Sequence, residues 1–179
     1  MPASTQMTGG DRPSPLSDPA FRAGLRPIPA GPVGADRRVA AVDLVGVRPT
    51  GGPVEVGVRS MGSPVLLCFL HVRCDGCDGF WRGLAGPTAH LPVAAWAVAR
   101  VAVTRGPSSV DPAEVARVAD GISGVPVVMS DQAWVDYQVS GYPFFVLVDP
   151  AVGSVIGETV GFGWGDVGSM IEASLSTPG

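Results

Sequence analysis

The sequence contains no lysine: all 12 of its basic residues are arginine. Schiff-base chemistry and lysine nucleophiles are thereby excluded. The same bias, with abundant Ala, Gly, Pro, Val and Arg, points to a GC-rich coding sequence and says nothing of function. Charge is scarce as well, at 16% of residues, with a net charge of −4. No basic cluster is present, which argues against a nucleic-acid partner. Nothing approaches the run of about 18 apolar residues that a membrane helix requires. The longest runs, Val65–Leu70 and Leu91–Ala99, are strand-sized. The N-terminus lacks the positive cluster and apolar stretch of a secretory signal. Three cysteines are too few, and odd in number, for a disulfide framework. The chain therefore reads as cytoplasmic, without a membrane segment, although an anchor encoded upstream of a misassigned start codon would leave this sequence unchanged.

What is present suits one folded domain. The chain has 179 residues, 46% of them apolar, enough to bury a sizeable core. Residues 1–38, rich in Pro, Gly, Ser and Thr, bury too little to offset the cost of ordering, and read as a disordered tail. Residues 39–177 read as the domain. Val39–Val47 and Val54–Val58 flank a turn at Arg48-Pro49-Thr50-Gly51-Gly52-Pro53, which predicts a β-hairpin. Pro64–Leu70 is a continuous apolar run, the mark of a strand buried on both faces. A helix is expected from the following cysteines through Phe80, Trp81 and Leu84 to Gly86-Pro87. Val93–Val103 reads as a strand. Ser109–Glu114 is a helix start, with a polar cap, proline in the first turn and acidic residues. Val125–Met129 reads as a strand and Asp131–Tyr137 as a short helix capped by Ser130 or Asp131. Phe144–Val148 and Ser154–Thr159 form a second hairpin. A last helix opens at Trp164, with Val167, Met170, Ile171 and Leu175 on one face. Alternating strands and helices imply an α/β fold: a central parallel sheet flanked by helices, made mixed by antiparallel strands at its side.

The chemistry sits at Cys74-Asp75-Gly76-Cys77. A CxxC directly after a buried strand places the first cysteine at a helix N-terminus, where free N–H groups and the dipole favour a thiolate. The second cysteine is near enough to resolve a mixed disulfide. Arg73 favours the thiolate; Asp75 and Asp78 oppose it. Half a zinc site is the competing reading, but only Cys68, His71 and His90 remain as further ligands, and Cys68 lies within the buried strand. Two idle buried thiols are another. Further on, Pro143 precedes a buried strand. It is either an ordinary strand start or a cis-proline exposing the backbone of Tyr142.

These segments carry a resemblance. Val65-Leu66-Leu67-Cys68-Phe69-Leu70-His71-Val72-Arg73-Cys74-Asp75-Gly76-Cys77 is similar to the strand and active-site turn of thioredoxins. Tyr137–Asp149 resembles the cis-proline segment of that superfamily. With Val125–Asp131, Tyr137 and Pro143, the chain resembles the TlpA/ResA-type disulfide reductases and the related alkyl hydroperoxide reductase group. The resemblance covers about residues 40–175 and implies a thioredoxin-like fold. It makes Cys74 the attacking thiolate, Cys77 the resolving thiol and Pro143 the cis-proline facing them. Tyr142 and Arg73 would contact substrate, while Trp81 and Phe80 pack the helix on the sheet. It implies a protein or small-molecule disulfide as substrate, a thiol electron donor, a part in redox homeostasis and no cofactor.

Two departures stand out. Arg73 replaces the tryptophan that thioredoxins carry before the first cysteine. Cys68 replaces the buried carboxylate that accepts the resolving thiol's proton; it is either a small core residue or an auxiliary redox thiol. His71 and His90 are candidate proton donors or ordinary surface histidines. Other functions compete. A peroxidase of the related P-x-x-x-T-x-x-C pattern would need proline and threonine where Leu67 and His71 stand. A non-catalytic binding module would use an apolar rim of Tyr142, Phe162 and Trp164. Copper chaperones on this fold space their cysteines by one residue more.

Overall fold

The computed structural model describes residues 30–33, 39–86 and 91–177. Residues 1–29, most of the expected tail, lie outside the described residues, as does His90. Eight strands among the described residues form one sheet. They are β1 (Ala30–Pro32), β2 (Leu44–Val47), β3 (Pro53–Val56), β4 (Val65–Phe69), β5 (Ala99–Thr104), β6 (Val127–Met129), β7 (Phe144–Asp149) and β8 (Ser154–Val160). Their spatial order is β1-β8-β7-β4-β5-β6-β2-β3. The sheet is mixed: β4, β5 and β6 run parallel, and every other pairing is antiparallel. β1 comes from the stretch expected to be tail. It pairs along β8, Ala30 opposite Thr159.

β4 lies at the centre, with every residue from Val65 to Leu70 buried. Its alternation divides the core. Leu66, Cys68 and Leu70 face α1 (Asp78–Ala85) and α5 (Trp164–Ser176), meeting Phe80, Trp81, Leu84, Val167, Met170 and Ile171. Val65, Leu67 and Phe69 face Trp134 and Tyr137, at the end of α4 (Asp131–Asp136), and Leu44 and Val58. Each such aliphatic or aromatic side chain contributes about 1.5–3 kcal/mol when fully buried. The segment that carries the cysteines is thus tied to the most deeply anchored strand. The predicted hairpin is β2–β3, closed by the Arg48–Pro53 turn. α3 (Pro112–Val118) opens as expected, the Asp111 carboxylate accepting the Ala113 N–H at 2.9 Å. Ser130 caps α4, its hydroxyl accepting the Ala133 N–H at 3.2 Å.

Three local expectations are corrected. The run Val93–Val103 is not one strand: Val93–Trp96 is α2, and β5 begins at Ala99. The parallel partner strand starts at Val65, opposite Ala99, so residues before Ala99 have no strand to pair with. They turn helical after Pro92, burying Ala94 and Ala95. The cysteines lie on a 3-10 turn, Asp75–Cys77, and the α-helix proper starts at Asp78. On α5, Leu175 faces solvent, and the buried position of that turn is Ser174. A Cβ on Gly157 of β8 would strike the Ser174 side chain, so helix and strand approach too closely there for a leucine.

Candidate active site

The CxxC turn leaves the end of β4 and leads into α1. Cys74 is its N-cap residue and the Cys77 N–H donates to the Cys74 carbonyl at 2.8 Å. The Cys74 side chain lies close enough to Cys77 to influence the ionisation of its thiol. Their exposures differ: Cys74 is half-buried and Cys77 fully buried among Leu66, Phe80 and Trp81. The His71 N–H donates to the Cys77 Sγ at 3.5 Å. Burial first, and the contact with Cys74 second, push the Cys77 thiol up to about 12. One cysteine is therefore reachable by a substrate, and the other is held protonated beneath it.

Pro143 faces the same turn. Its Cδ and the Cys74 Sγ lie 3.8 and 3.7 Å from the place a Cβ would take on Gly76. The Tyr142–Pro143 peptide bond is cis. Tyr142 is 45% exposed beside it. Trp81 takes the core position expected of it, buried on α1, with its indole N–H donating to the His71 carbonyl at 3.5 Å. Cys68 is wholly enclosed, and burial pushes its thiol up to about 12. A thiol held protonated in this way accepts no proton from Cys77 at neutral pH.

Arg73 is held in an ion pair. Its guanidinium grips both Glu114 oxygens, at 2.9 and 2.8 Å, and the pair raises the Arg73 pKa and lowers that of Glu114. The charge placed before Cys74 in sequence is thus neutralised from α3. Of the expected apolar rim, Tyr142 and Phe162 are exposed, whereas Trp164 packs inward on Phe80 and Phe145, at 5.3 and 5.9 Å between ring centres.

Sequence reasoning missed the layer beneath Tyr142. His71 stacks on the Tyr142 ring, 4.7 Å between centres and 15° from parallel. Trp134 meets Tyr142 edge-on at 6.1 Å, and the Arg105 guanidinium covers Trp134 at 4.2 Å. These residues come from four separate loops and helices, and no spacing in the chain signals their meeting. Among the described residues no group of three His, Cys, Asp or Glu is placed to hold a metal ion. No helix among them is long and apolar enough to cross a membrane.

No protein-family model matches the chain, and no curated protein matches it in sequence. Solved structures match its fold. A secreted disulfide oxidoreductase of Mycobacterium tuberculosis, homologous to E. coli DsbE, superposes with a TM-score of 0.54 at 17% identity, over 73% of this chain and 95% of its own. A thioredoxin-family thiol:disulfide interchange protein of Chlorobium tepidum gives 0.52 at 20% identity, over 80% of this chain and 100% of its own. The exposed lipoprotein thioredoxin of Streptococcus pneumoniae gives 0.54 at 16%, over 73% and 98%. At such identities the likeness speaks for architecture: the chain is a protein of thioredoxin fold, built like the thiol:disulfide interchange proteins.

Proposed function

We propose that the protein is a thiol–disulfide oxidoreductase working through Cys74 and Cys77. The observation that carries this is the pairing of a reachable Cys74 with a buried Cys77 close by, on a turn that Pro143 faces. The Cys74 thiolate attacks one sulfur of a substrate disulfide, forming a mixed disulfide and releasing one substrate thiolate, which takes up a proton. Cys77 then loses its proton and attacks the Cys74 sulfur. The Cys74–Cys77 disulfide forms and the second substrate thiol leaves. Two electrons and two protons pass to the substrate, and a dithiol donor restores the pair by the reverse exchange. Tyr142 and Pro143 border the reacting sulfurs and contact the substrate chain. Arg73, tied to Glu114, contributes at the edge of that surface.

The resolving step is the slow one on this reading. Cys77 is held protonated, and Cys68 stands where a proton acceptor would be. The chemistry fits the cytoplasm, where thiol pools stay reduced, and equally an exported setting such as those of the M. tuberculosis and S. pneumoniae proteins. Cell fractionation decides between them.

The test is a redox titration in glutathione and dithiothreitol buffers, with thiols counted by alkylation and mass spectrometry. One reversible two-electron transition, abolished in Cys74→Ser, is expected, and its midpoint gives the direction of electron flow. A pair that never forms a disulfide would sink this reading in favour of a non-catalytic binding module, for which the exposed Tyr142 and Phe162 are the candidate surface.

A further inference from the structure

His71 takes no part in the exchange just described, yet it touches Cys77, Trp81, Tyr142 and Arg73. Its N–H reaches Cys77 and its carbonyl holds Trp81. Its ring stacks on Tyr142. Its Nδ1 accepts the Arg73 backbone N–H at 3.1 Å, so the neutral ring carries its proton on Nε2. The two backbone contacts survive any substitution. The two ring contacts do not, and they have one geometric effect: the imidazole is fixed edge and face, and Tyr142 lies against it. Tyr142 also meets Trp134 edge-on, itself covered by Arg105. The residue that precedes Pro143 is therefore clamped, although nearly half of its surface is open.

Resting on the oxidoreductase reading, we propose that neutral His71 is a positioning residue, which holds Tyr142 in place to receive the substrate chain beside Cys74 and releases it on protonation. A protonated ring presents Nδ1–H to the Arg73 N–H, donor against donor, and that hydrogen bond is lost. The charged groups around the ring favour the neutral form on balance. Arg73 on its own turn and Arg105 on the loop after β5 oppose a second cation, and Glu114 on α3 favours one. Tyr142 faces the ring, and the Cys77 thiol, held protonated, meets its backbone N–H. Burial is the largest influence, and with the two arginines it lowers the His71 pKa. The clamp is therefore set at neutral pH and opens only on the acid side.

The proposal separates binding from chemistry and ring from backbone. The experiment is steady-state reduction of a short disulfide-linked peptide, with KM and kcat measured across the acid to neutral range. His71→Ala is expected to raise KM about three- to tenfold at neutral pH, the worth of one aromatic stack, with a smaller change in kcat. His71→Phe keeps a ring for the stack but lacks the Nδ1 acceptor, and is expected to show at every pH the raised KM that the wild type shows only in acid. It should also lose the acid-side rise in KM that the wild type shows. Tyr142→Leu, which removes the stack and the substrate contact together, should raise KM at least as much as His71→Ala. The Cys74–Cys77 midpoint should stay put in His71→Ala, because the N–H that reaches Cys77 is backbone. Wild-type KM in His71→Ala, or an acid-side rise in KM that persists unchanged in His71→Phe, overturns the proposal while the redox titration of the wild type still stands. A wild type with no two-electron transition overturns both.

Discussion

Arg73 and Glu114 lie 41 positions apart in the chain and meet through two parallel hydrogen bonds, at 2.9 and 2.8 Å. A fork-to-fork pair of this kind fixes the orientation of the guanidinium as well as its charge. It turns toward α3, and its field at Cys74 is offset by a carboxylate. Freeing it should make Cys74 more reactive. Glu114→Gln is expected to speed alkylation of Cys74 by iodoacetamide at neutral pH about two- to fivefold, an effect that fades with added salt. Timed alkylation with mass spectrometry reads it; an unchanged rate would mean that the guanidinium has no influence on the thiol.

Cys68 ties stability to pH. Burial raises its thiol from an ordinary value near 9 to about 12. A raised thiol pKa stabilises the fold fully below the unfolded value and loses that contribution as pH climbs toward the folded one. Above about pH 9 the wild type should lose about 1.4 kcal/mol per pH unit through this thiol alone. Cys68→Ala should flatten that decline. Urea unfolding at neutral and alkaline pH measures the difference, and parallel curves for the two proteins would show that Cys68 ionises without cost.

Tyr137 joins α4 to the segment before β2. Its hydroxyl donates to the Val42 carbonyl at 2.5 Å and accepts the Val42 N–H at 3.1 Å. Tyr137→Phe leaves both backbone groups without that partner, and a loss of about 1–3 kcal/mol is expected in chemical denaturation. Burial raises the phenol above its ordinary value of 10. The wild type's advantage over Tyr137→Phe is therefore complete below that pH and shrinks as the pH passes it.

Gly83 lets α1 meet α5. A Cβ there would strike the Trp164 indole, whose N–H has no hydrogen-bond partner and whose ring lies against Phe80 and Phe145. Alanine improves helix propensity by about 1 kcal/mol, but the displaced indole costs about 1–3 kcal/mol. Gly83→Ala is expected to lower stability and shift the tryptophan emission. A higher unfolding midpoint would mean that the indole moves aside freely.

Residues whose role follows from neighbours in the chain are legible in the amino-acid sequence. The buried β4 run, the CxxC after it, the Arg48–Pro53 turn and the Asp111 and Ser130 caps each depend on a few consecutive side chains. Pairing partners are harder to read. Val93–Trp96 has the apolar content of a strand and becomes helix because β4 begins too late to pair with it. Leu175 continues the helical periodicity of α5 and is displaced from the core by the close approach of Gly157 to Ser174.

The alternation of strands and helices, the central strand and the two cysteines of the turn are written in the order of residues, because local propensity, capping and hydrophobic period act over a few residues. Only the folded chain brings Arg73 to Glu114 and joins His71, Tyr142, Trp134 and Arg105 in one series of contacts. These contacts join segments whose proximity is set by sheet order. Charge pairing and ring packing act over a few ångströms in space, whatever the distance along the chain.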